Sequence, residues 1–269
     1  MKKTLLILAC AVTLKAAANI PADTTVKILP AATDSVKSQR IKSTSFILPA
    51  AMVSYGALSF AVKPVRDLDY DVRNEVAQTA PNFHTNAETY FLFTPIIMVY
   101  GLNFAGVKGR NNFTDRTAIL ALSAGFGGIL DFSIKHLSHR QDPGHASYTS
   151  FPSGHTLAAF AGAEFLSQEY GGKSPLYTII GYSIAATTGV FRIYNRDHWL
   201  SDVVAGAGFG ILSTKAAYLV YPAIRRWLMH KDEKVGCDDN TTHKSRYQNV
   251  MLVPSFSSGT AGLSFSASF

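Results

Sequence analysis

What most constrains this chain is a series of apolar stretches of helix length: Phe46–Val62, Tyr90–Val107, Ala118–Ile134, Thr156–Leu166, Leu176–Val190 and Leu200–Tyr221. The breaks between them carry turn chemistry, as in Lys108-Gly109-Arg110-Asn111-Asn112 and Gly171-Gly172-Lys173-Ser174-Pro175. Strand signals are few over this region, so the pattern predicts an all-α bundle of about six helices. Small residues crowd two of the stretches: Ala158, Ala159, Ala161, Gly162 and Ala163 on one, and Ala205, Gly206, Ala207, Gly208 and Gly210 on another. Helices built this way can approach one another closely, in lipid or in a tight core.

The relation to a membrane stays open at this level. Several stretches fall short of the roughly 20 apolar residues that a bilayer crossing needs. The fourth carries Glu164 and Gln168, and the first contains Pro49, Ser54, Gly56 and Ser59. Lysines and arginines occur in every inter-helix loop, so charge asymmetry assigns no orientation. Composition is also intermediate. Only 16% of residues are charged, below the quarter or so usual for soluble domains, yet the mean hydropathy is only +0.11. Both an integral protein and a compact membrane-associated bundle fit. The net charge of +7 favours anionic partners. No basic block or recognition helix accompanies it, so nucleic acid is not an expected partner.

The ends of the chain read differently from its middle. Lys2 and Lys3, the apolar run Thr4–Leu14 and the small residues Ala16-Ala17-Ala18 form an export signal over residues 1–18. Export places the protein in a bacterial cell envelope, on the periplasmic side. Residues 19–43 read as a linker and 44–224 as the helical domain. Residues 225–249 form a polar tail, and the alternation over 250–269 is compatible with a short C-terminal β-hairpin. Cys10 lies in the signal, which leaves Cys237 without an intramolecular disulfide partner after processing. Nothing in the sequence bears on oligomeric state.

Two polar clusters carry chemistry. In Arg192-Ile-Tyr-Asn-Arg-Asp-His198-Trp-Leu-Ser-Asp202, His198 and Asp202 stand four apart and share a face if a helix starts here. A carboxylate so placed can fix the tautomer of an imidazole and raise the basicity of its other nitrogen. Arg192 can clamp an anion in two-pronged fashion. In Phe151-Pro152-Ser153-Gly154-His155, Pro152 suits the first turn of a helix, leaving the N–H groups of Ser153, Gly154 and His155 as an anion cradle. Taken singly, the first cluster equally describes a helix-surface ion pair and the second an ordinary helix cap. Taken together they gain force. In an up-down bundle, the end of the third helix at Lys135, the start of the fourth, the end of the fifth and the start of the sixth meet at one end. Such a constellation suits a tetrahedral oxyanion.

The chain resembles the type-2 phosphatidic acid phosphatase and vanadium haloperoxidase superfamily over roughly residues 90–221. That superfamily carries K-x6-R-P, P-S-G-H and S-R-x5-H-x3-D. Pro152-Ser153-Gly154-His155 matches the second motif, and Arg192, His198 and Asp202 match the third, with Phe191 in place of its serine. In the first motif Lys135 and Pro143 fit, but Asp142 occupies the arginine position. The resemblance implies a metal-independent, cofactor-free phosphatase acting on phosphate esters or pyrophosphates. Its expected substrates are phosphorylated lipids or small phosphate esters. It also implies a phosphohistidine intermediate: His198 as nucleophile, Asp202 orienting it, and His155 as general acid and base. Lys135, Ser153, Gly154 and Arg192 would hold phosphate oxygens.

Asp142 conflicts with that pattern, because a carboxylate aimed into a phosphate site is repulsive. Either Asp142 turns outward to pair with Arg140 or Lys135, or Arg140 reaches inward in the arginine's place; the second is the expectation carried forward. His136 and His139 are spaced for zinc on one face, with His145 nearby, but no carboxylate or cysteine completes a standard ligand set. No metal site is therefore expected, and His84 reads as a loop residue. The alternatives to a phosphatase are a vanadate-dependent haloperoxidase and a degenerate, non-catalytic phospholipid-binding envelope protein.

Overall fold

A computed structural model describes residues 42–144, 147–234, 249–257 and 260–268, with side chains up to Trp227. The expected signal segment, nearly all of the linker, Cys10, Cys237, His145 and most of the polar tail lie outside the described residues.

Residues 42–227 form an all-α bundle, as the apolar pattern predicts, though its elements are divided differently. A 3-10 turn, Ser43–Phe46, leads into α1, Ile47–Leu58. Then comes α2, Lys63–Thr79, turned 88° from the helix before it. Val62 is extended and Pro64 sits in the first turn of α2, which sets the corner. The sequence reading missed α2 because only a narrow face of it is buried, at Asp69 and Val76. The stretch expected as one helix from Tyr90 is two, α3 (Ala87–Phe91) and α4 (Thr94–Phe104), with Pro95 starting the second.

The remaining helices extend beyond their expected limits. They are α5 (Phe113–Ser138), α6 (Gly154–Tyr170), α7 (Pro175–Tyr194) and α8 (Leu200–Lys234). Local signals explain the boundaries. The Asn112 side chain accepts the Asp115 N–H at the start of α5, and the Ser174 side chain accepts the Leu176 N–H at the start of α7. His139 closes α5 in a left-handed conformation with φ 42°.

Beyond the bundle, Asn249–Ser257 and Thr260–Ser268 pair as antiparallel strands β1 and β2.

The centre of the bundle is α6, which packs against α7 and α8, while α8 also receives α1 and α5. The small-residue stripe on α8 makes this close approach possible. A Cβ at Gly210 would lie 2.2 Å from the Leu157 carbonyl oxygen, and one at Gly206 would lie 2.6 Å from that of Ser153. Away from that seam, Val99, Ile119, Phe165, Leu166, Tyr170, Ala217, Tyr218 and Tyr221 form the apolar core. The Tyr170 hydroxyl sits among the carbonyls of Val99 and Val107, 3.1 and 3.0 Å away. Among the described residues, three helical segments are long and apolar enough to cross a membrane: Phe113–Ser138, Pro175–Tyr194 and Leu200–Trp227.

Candidate active site

The connectivity of the bundle brings the two polar clusters to one end. Lys135 lies on the last turn of α5, and Gly154 opens α6. A Cβ on Gly154 would be 3.0 Å from the Lys135 Nζ and 3.1 Å from Asp131 Oδ1. The Ser153 N–H donates to the Asp202 carbonyl at 3.1 Å, tying the start of α6 to that of α8. Arg192, on the last turn of α7, faces the same space, and its charge acts on both His155 and His198.

Two details differ from the sequence expectation at the start of α6. The helix begins at Gly154, so Pro152 precedes it and Ser153 is its cap. With the Ser153 N–H committed to Asp202, the unpaired donors of the first turn come from Gly154 and His155 onward; the intrahelical ladder starts where Leu157 N–H meets the Ser153 carbonyl at 2.9 Å. The Ser153 hydroxyl is buried and lies 2.9 Å from that of Thr156, so it forms part of the support.

His198 is buried in the turn before α8. Its Nδ1 lies 2.8 Å from the Ser150 carbonyl oxygen. A carbonyl only accepts, so Nδ1 carries the hydrogen and Nε2 keeps its lone pair. The expected direct bond from Asp202 is replaced by this contact, because Asp202 Oδ2 stands 3.9 Å from Nδ1. Asp202 acts one step back: its Oδ2 accepts from the Ser150 hydroxyl at 2.5 Å and from the Trp199 N–H at 3.0 Å. The second contact is half of a capping box at the start of α8. Burial, reinforced by the Arg192 charge, pushes the His198 imidazole down to about 3. His155 is also lowered, by burial first and then by Arg192, with Glu88 and Asp197 pulling the other way. Burial raises Asp197, opposed by Arg192. His198 is therefore neutral at pH 7.

The cations are held by acids that the sequence reading did not single out. Arg192 Nη1 is 2.8 Å from Asp197 Oδ2 and 3.3 Å from Glu88 Oε1, whereas its buried Nε has no hydrogen-bond partner among the described residues. Glu88 opens α3, and the loop before it is latched to α7 by two bonds between Thr85 and Asn195. An acid at the head of an apolar stretch was the only signal for it. Lys135 Nζ lies 2.9 Å from Asp131, one turn earlier on α5.

Arg140 does not join the cluster around Lys135 and Arg192. Its Nη1 donates to Asp202 Oδ1 at 2.7 Å, to the Ser201 hydroxyl at 2.8 Å and to the Ser59 hydroxyl at 3.1 Å. Its Nη2 donates to Asp69 Oδ2 at 2.7 Å. Arg140 thus reaches toward two carboxylates, where the sequence expectation had it take the motif arginine's place at the phosphate. Asp142 turns onto its own loop, where Oδ2 accepts from the Ser147 N–H at 2.7 Å and hydroxyl at 2.8 Å. That removes the conflict seen in the sequence. Of the other histidines, His136 bonds the Phe132 carbonyl on its own helix and His84 is exposed. Among the described residues no group of three or more metal-ligating side chains comes together.

Residues 116–226 match the model of the PAP2 superfamily. The matched segment takes in Lys135, His155, Arg192 and His198. Proteins similar to this chain include a lipid A 1-phosphatase of Porphyromonas gingivalis, 31% identical over 72% of this chain and 42% of that protein. A probable lipid phosphate phosphatase 4 of Arabidopsis thaliana is 35% identical over 27% of each chain. A lipid A 1-phosphatase of Rhizobium etli is 36% identical over 29% of this chain and 32% of that one. The chain thus spans less than half the length of each of these curated relatives. Two solved structures are similar in outline. The crystal structure of Aquifex aeolicus LpxE has a TM-score of 0.41 at 23% identity, covering 54% of this chain and 92% of that one. A transmembrane PAP2 type phosphatidylglycerolphosphate phosphatase from Bacillus subtilis has 0.48 at 20%, covering 71% and 98%.

Proposed function

We propose that this chain is a metal-independent phosphatase of the PAP2 superfamily that hydrolyses phosphate esters or pyrophosphates of lipids through a phosphohistidine intermediate. The observation that carries the reading is the buried His198, with its Nε2 lone pair free and the charges of Lys135 and Arg192 acting on it. In this mechanism the Nε2 lone pair of His198 forms a bond to phosphorus as the ester P–O bond breaks, and His155, entering the step as imidazolium beside the substrate's phosphate charge, gives its proton to the leaving alkoxide and becomes neutral. His155 then accepts a proton from water as the water oxygen bonds to phosphorus and the Nε2–P bond breaks. Lys135, Arg192 and the first N–H groups of α6 hold the equatorial oxygens as negative charge builds on them. A neutral His198 suits the first step, and its depressed pKa keeps it neutral in mildly acidic surroundings too.

A lipid substrate is supported by a cavity of about 430 Å³ that opens beside Gly154 and His155. Its walls are mostly apolar, with Leu92, Phe93, Ile96, Leu120, Leu157 and Ala158 among them. The exposed Ile129, Phe132 and Leu137 on α5 suit a helix facing lipid. The three membrane-length helices favour an integral membrane protein, and the export signal expected over residues 1–18 supports a site on the exported side of a cell envelope. The test is phosphate release by the purified full chain in detergent from a panel of lipid and soluble esters, with His198→Ala as control. Equal, slow release by both proteins would refute the proposal. Bromination that appears only with vanadate and peroxide would move the assignment to haloperoxidase.

A further inference from the structure

We propose that Asp69, on α2, is a positioning residue for the reaction of His198, acting through Arg140, Asp202 and Ser150. The inference rests on the reading of His198 as nucleophile. It assigns Arg140 to the support of that histidine and not to the phosphate. Asp69 lies on a helix outside the segment that matches the PAP2 superfamily.

The connection is continuous. The Asp69 carboxylate, 1% exposed, accepts the Ser201 N–H at 2.8 Å, the Ser201 hydroxyl at 2.6 Å and Arg140 Nη2 at 2.7 Å. Arg140 passes to Asp202 Oδ1 at 2.7 Å. Asp202 takes the Ser150 hydroxyl, and the Ser150 carbonyl takes Nδ1–H of His198. The guanidinium cannot readily swing away, because the rings of Phe60 and Trp199 flank it with centroids 5.2 and 5.6 Å from its central carbon. Trp199 is itself fixed by its indole N–H on the Gln141 carbonyl at 2.8 Å. Both terminal nitrogens of Arg140 are thus occupied by fixed acceptors, whereas Lys135 and Arg192 border the space in front of His198.

Burying two carboxylates and a guanidinium together is a costly way to obtain stability alone, since apolar residues of similar volume usually serve as well. What the trio adds is orientation and charge. It holds the Ser150 carbonyl where it must accept Nδ1–H, so the lone pair stays on Nε2. With both carboxylates ionised, it also places one net negative charge behind an imidazole that becomes cationic when Nε2 is phosphorylated. Asp69→Asn preserves the shape and cancels that net charge.

The test uses the purified full chain in detergent, comparing wild type with Asp69→Asn, Arg140→Lys and Ser201→Ala. A soluble phosphate ester serves as substrate and inorganic phosphate as competitive inhibitor. Misplacing a reacting group by an ångström costs on the order of 100-fold, so kcat is expected to fall about that much in Asp69→Asn and Arg140→Lys. KM and the phosphate inhibition constant should stay within about twofold, because a positioning residue makes no contact with the ground-state substrate. Ser201→Ala, which removes one hydroxyl from the relay, should lose less in the same sense, and it carries the test if the charge variants do not fold. A wild-type kcat in Asp69→Asn would overturn the proposal. So would a weakened phosphate inhibition constant with kcat unchanged in Arg140→Lys, which would return Arg140 to the phosphate. Nitrogen-15 spectra of histidine-labelled protein separate this inference from the phosphatase reading. The His198 signal, identified by its loss in His198→Ala, should report hydrogen on Nδ1 in wild type and a changed tautomer balance in Asp69→Asn. If the wild type releases no phosphate, the phosphatase reading fails and this spectrum decides the positioning role; an unchanged spectrum overturns it.

Discussion

The two ends of the bundle both bury ionic networks, and they use them differently. At the end away from His198, Glu169 on α6 accepts from the Asn111 N–H, the Asn111 amide, Arg116 Nε and the Tyr218 hydroxyl, at 3.0, 2.6, 3.2 and 2.7 Å. The Arg116 and Glu169 side chains are 1% and 0% exposed. Nearby, Asp115 pairs with Tyr221 and Arg225. At the other end, Lys135 and Asp131 are 21% and 27% exposed and Asp197 is 40% exposed, so a ligand can reach the cations that these acids hold. The first network is sealed around its charges and fastens α5, α6 and α8. The second combines Asp69–Arg140–Asp202, whose two carboxylates are sealed, with Lys135 and Arg192, whose partners Asp131 and Asp197 are open, and His198 lies between them. Buried charge by itself therefore does not mark the site; cations left within reach of a buried lone pair do.

The sharpest break between the two ends comes from His198→Ala. Phosphate release should drop by on the order of 10⁴-fold or more, as when a covalent nucleophile is removed elsewhere, while the protein still folds. The same variant tests the depressed pKa. The folded value is about 3 against 6.5 for an ordinary histidine. As pH falls through that window the unfolded chain binds a proton that the folded chain does not, so wild-type stability should decline from about pH 6.5 toward pH 3. In His198→Ala that part of the slope should vanish. Denaturation midpoints at a series of pH values would show it, and identical slopes in the two proteins would contradict the assignment.

Arg116→Met probes the sealed end. It leaves Glu169 buried without its cation, an error that typically costs about 3–5 kcal/mol. The denaturation midpoint should fall accordingly, with kcat per folded molecule unchanged. A loss of kcat without a loss of stability would mean that the two ends are coupled in a way the static contacts do not convey.

How much of this was legible in the sequence follows from where each partner sits in the chain. Lys135, His155, Arg192 and His198 could be brought to one end by counting helices, because each lies at a helix terminus with local signals around it. Asp69 and Glu88 could not, because their partners are 71 and 104 residues away; nothing in a polar α2 advertises the first, and the second is only an acid on the short α3 at the head of an apolar stretch. Asp202 was recognised, but its bond to His198 was not the one observed. A spacing of four residues brings side chains to one face, whereas the Ser150 carbonyl comes from a loop whose path no periodicity describes. The Asp142 difficulty had the same root, since a carboxylate's effect depends on its orientation, and Ser147 sets that orientation within the loop.

The smallest predicted effects separate the two uses of glycine. At Gly154 an added Cβ meets Lys135 Nζ at 3.0 Å and Asp131 Oδ1 at 3.1 Å, both far ends of flexible side chains. Gly154→Ala should therefore leave stability unchanged or slightly raised, since alanine favours helix. Displacing Lys135 should weaken activity by roughly tenfold, one lost charge-assisted contact. At Gly210 the Cβ would lie 2.2 Å from the Leu157 carbonyl oxygen, and a backbone atom in a packed helix has nowhere to go. Gly210→Ala should instead cost about 1–3 kcal/mol of stability through overpacking, with little change in kcat for the molecules that remain folded. Measuring both variants for midpoint and turnover distinguishes a glycine kept for the ligand from a glycine kept for the α6–α8 seam. If Gly154→Ala lost stability and kept its activity, the start of α6 would belong to the seam, and the proposed anion cradle there would have to be abandoned.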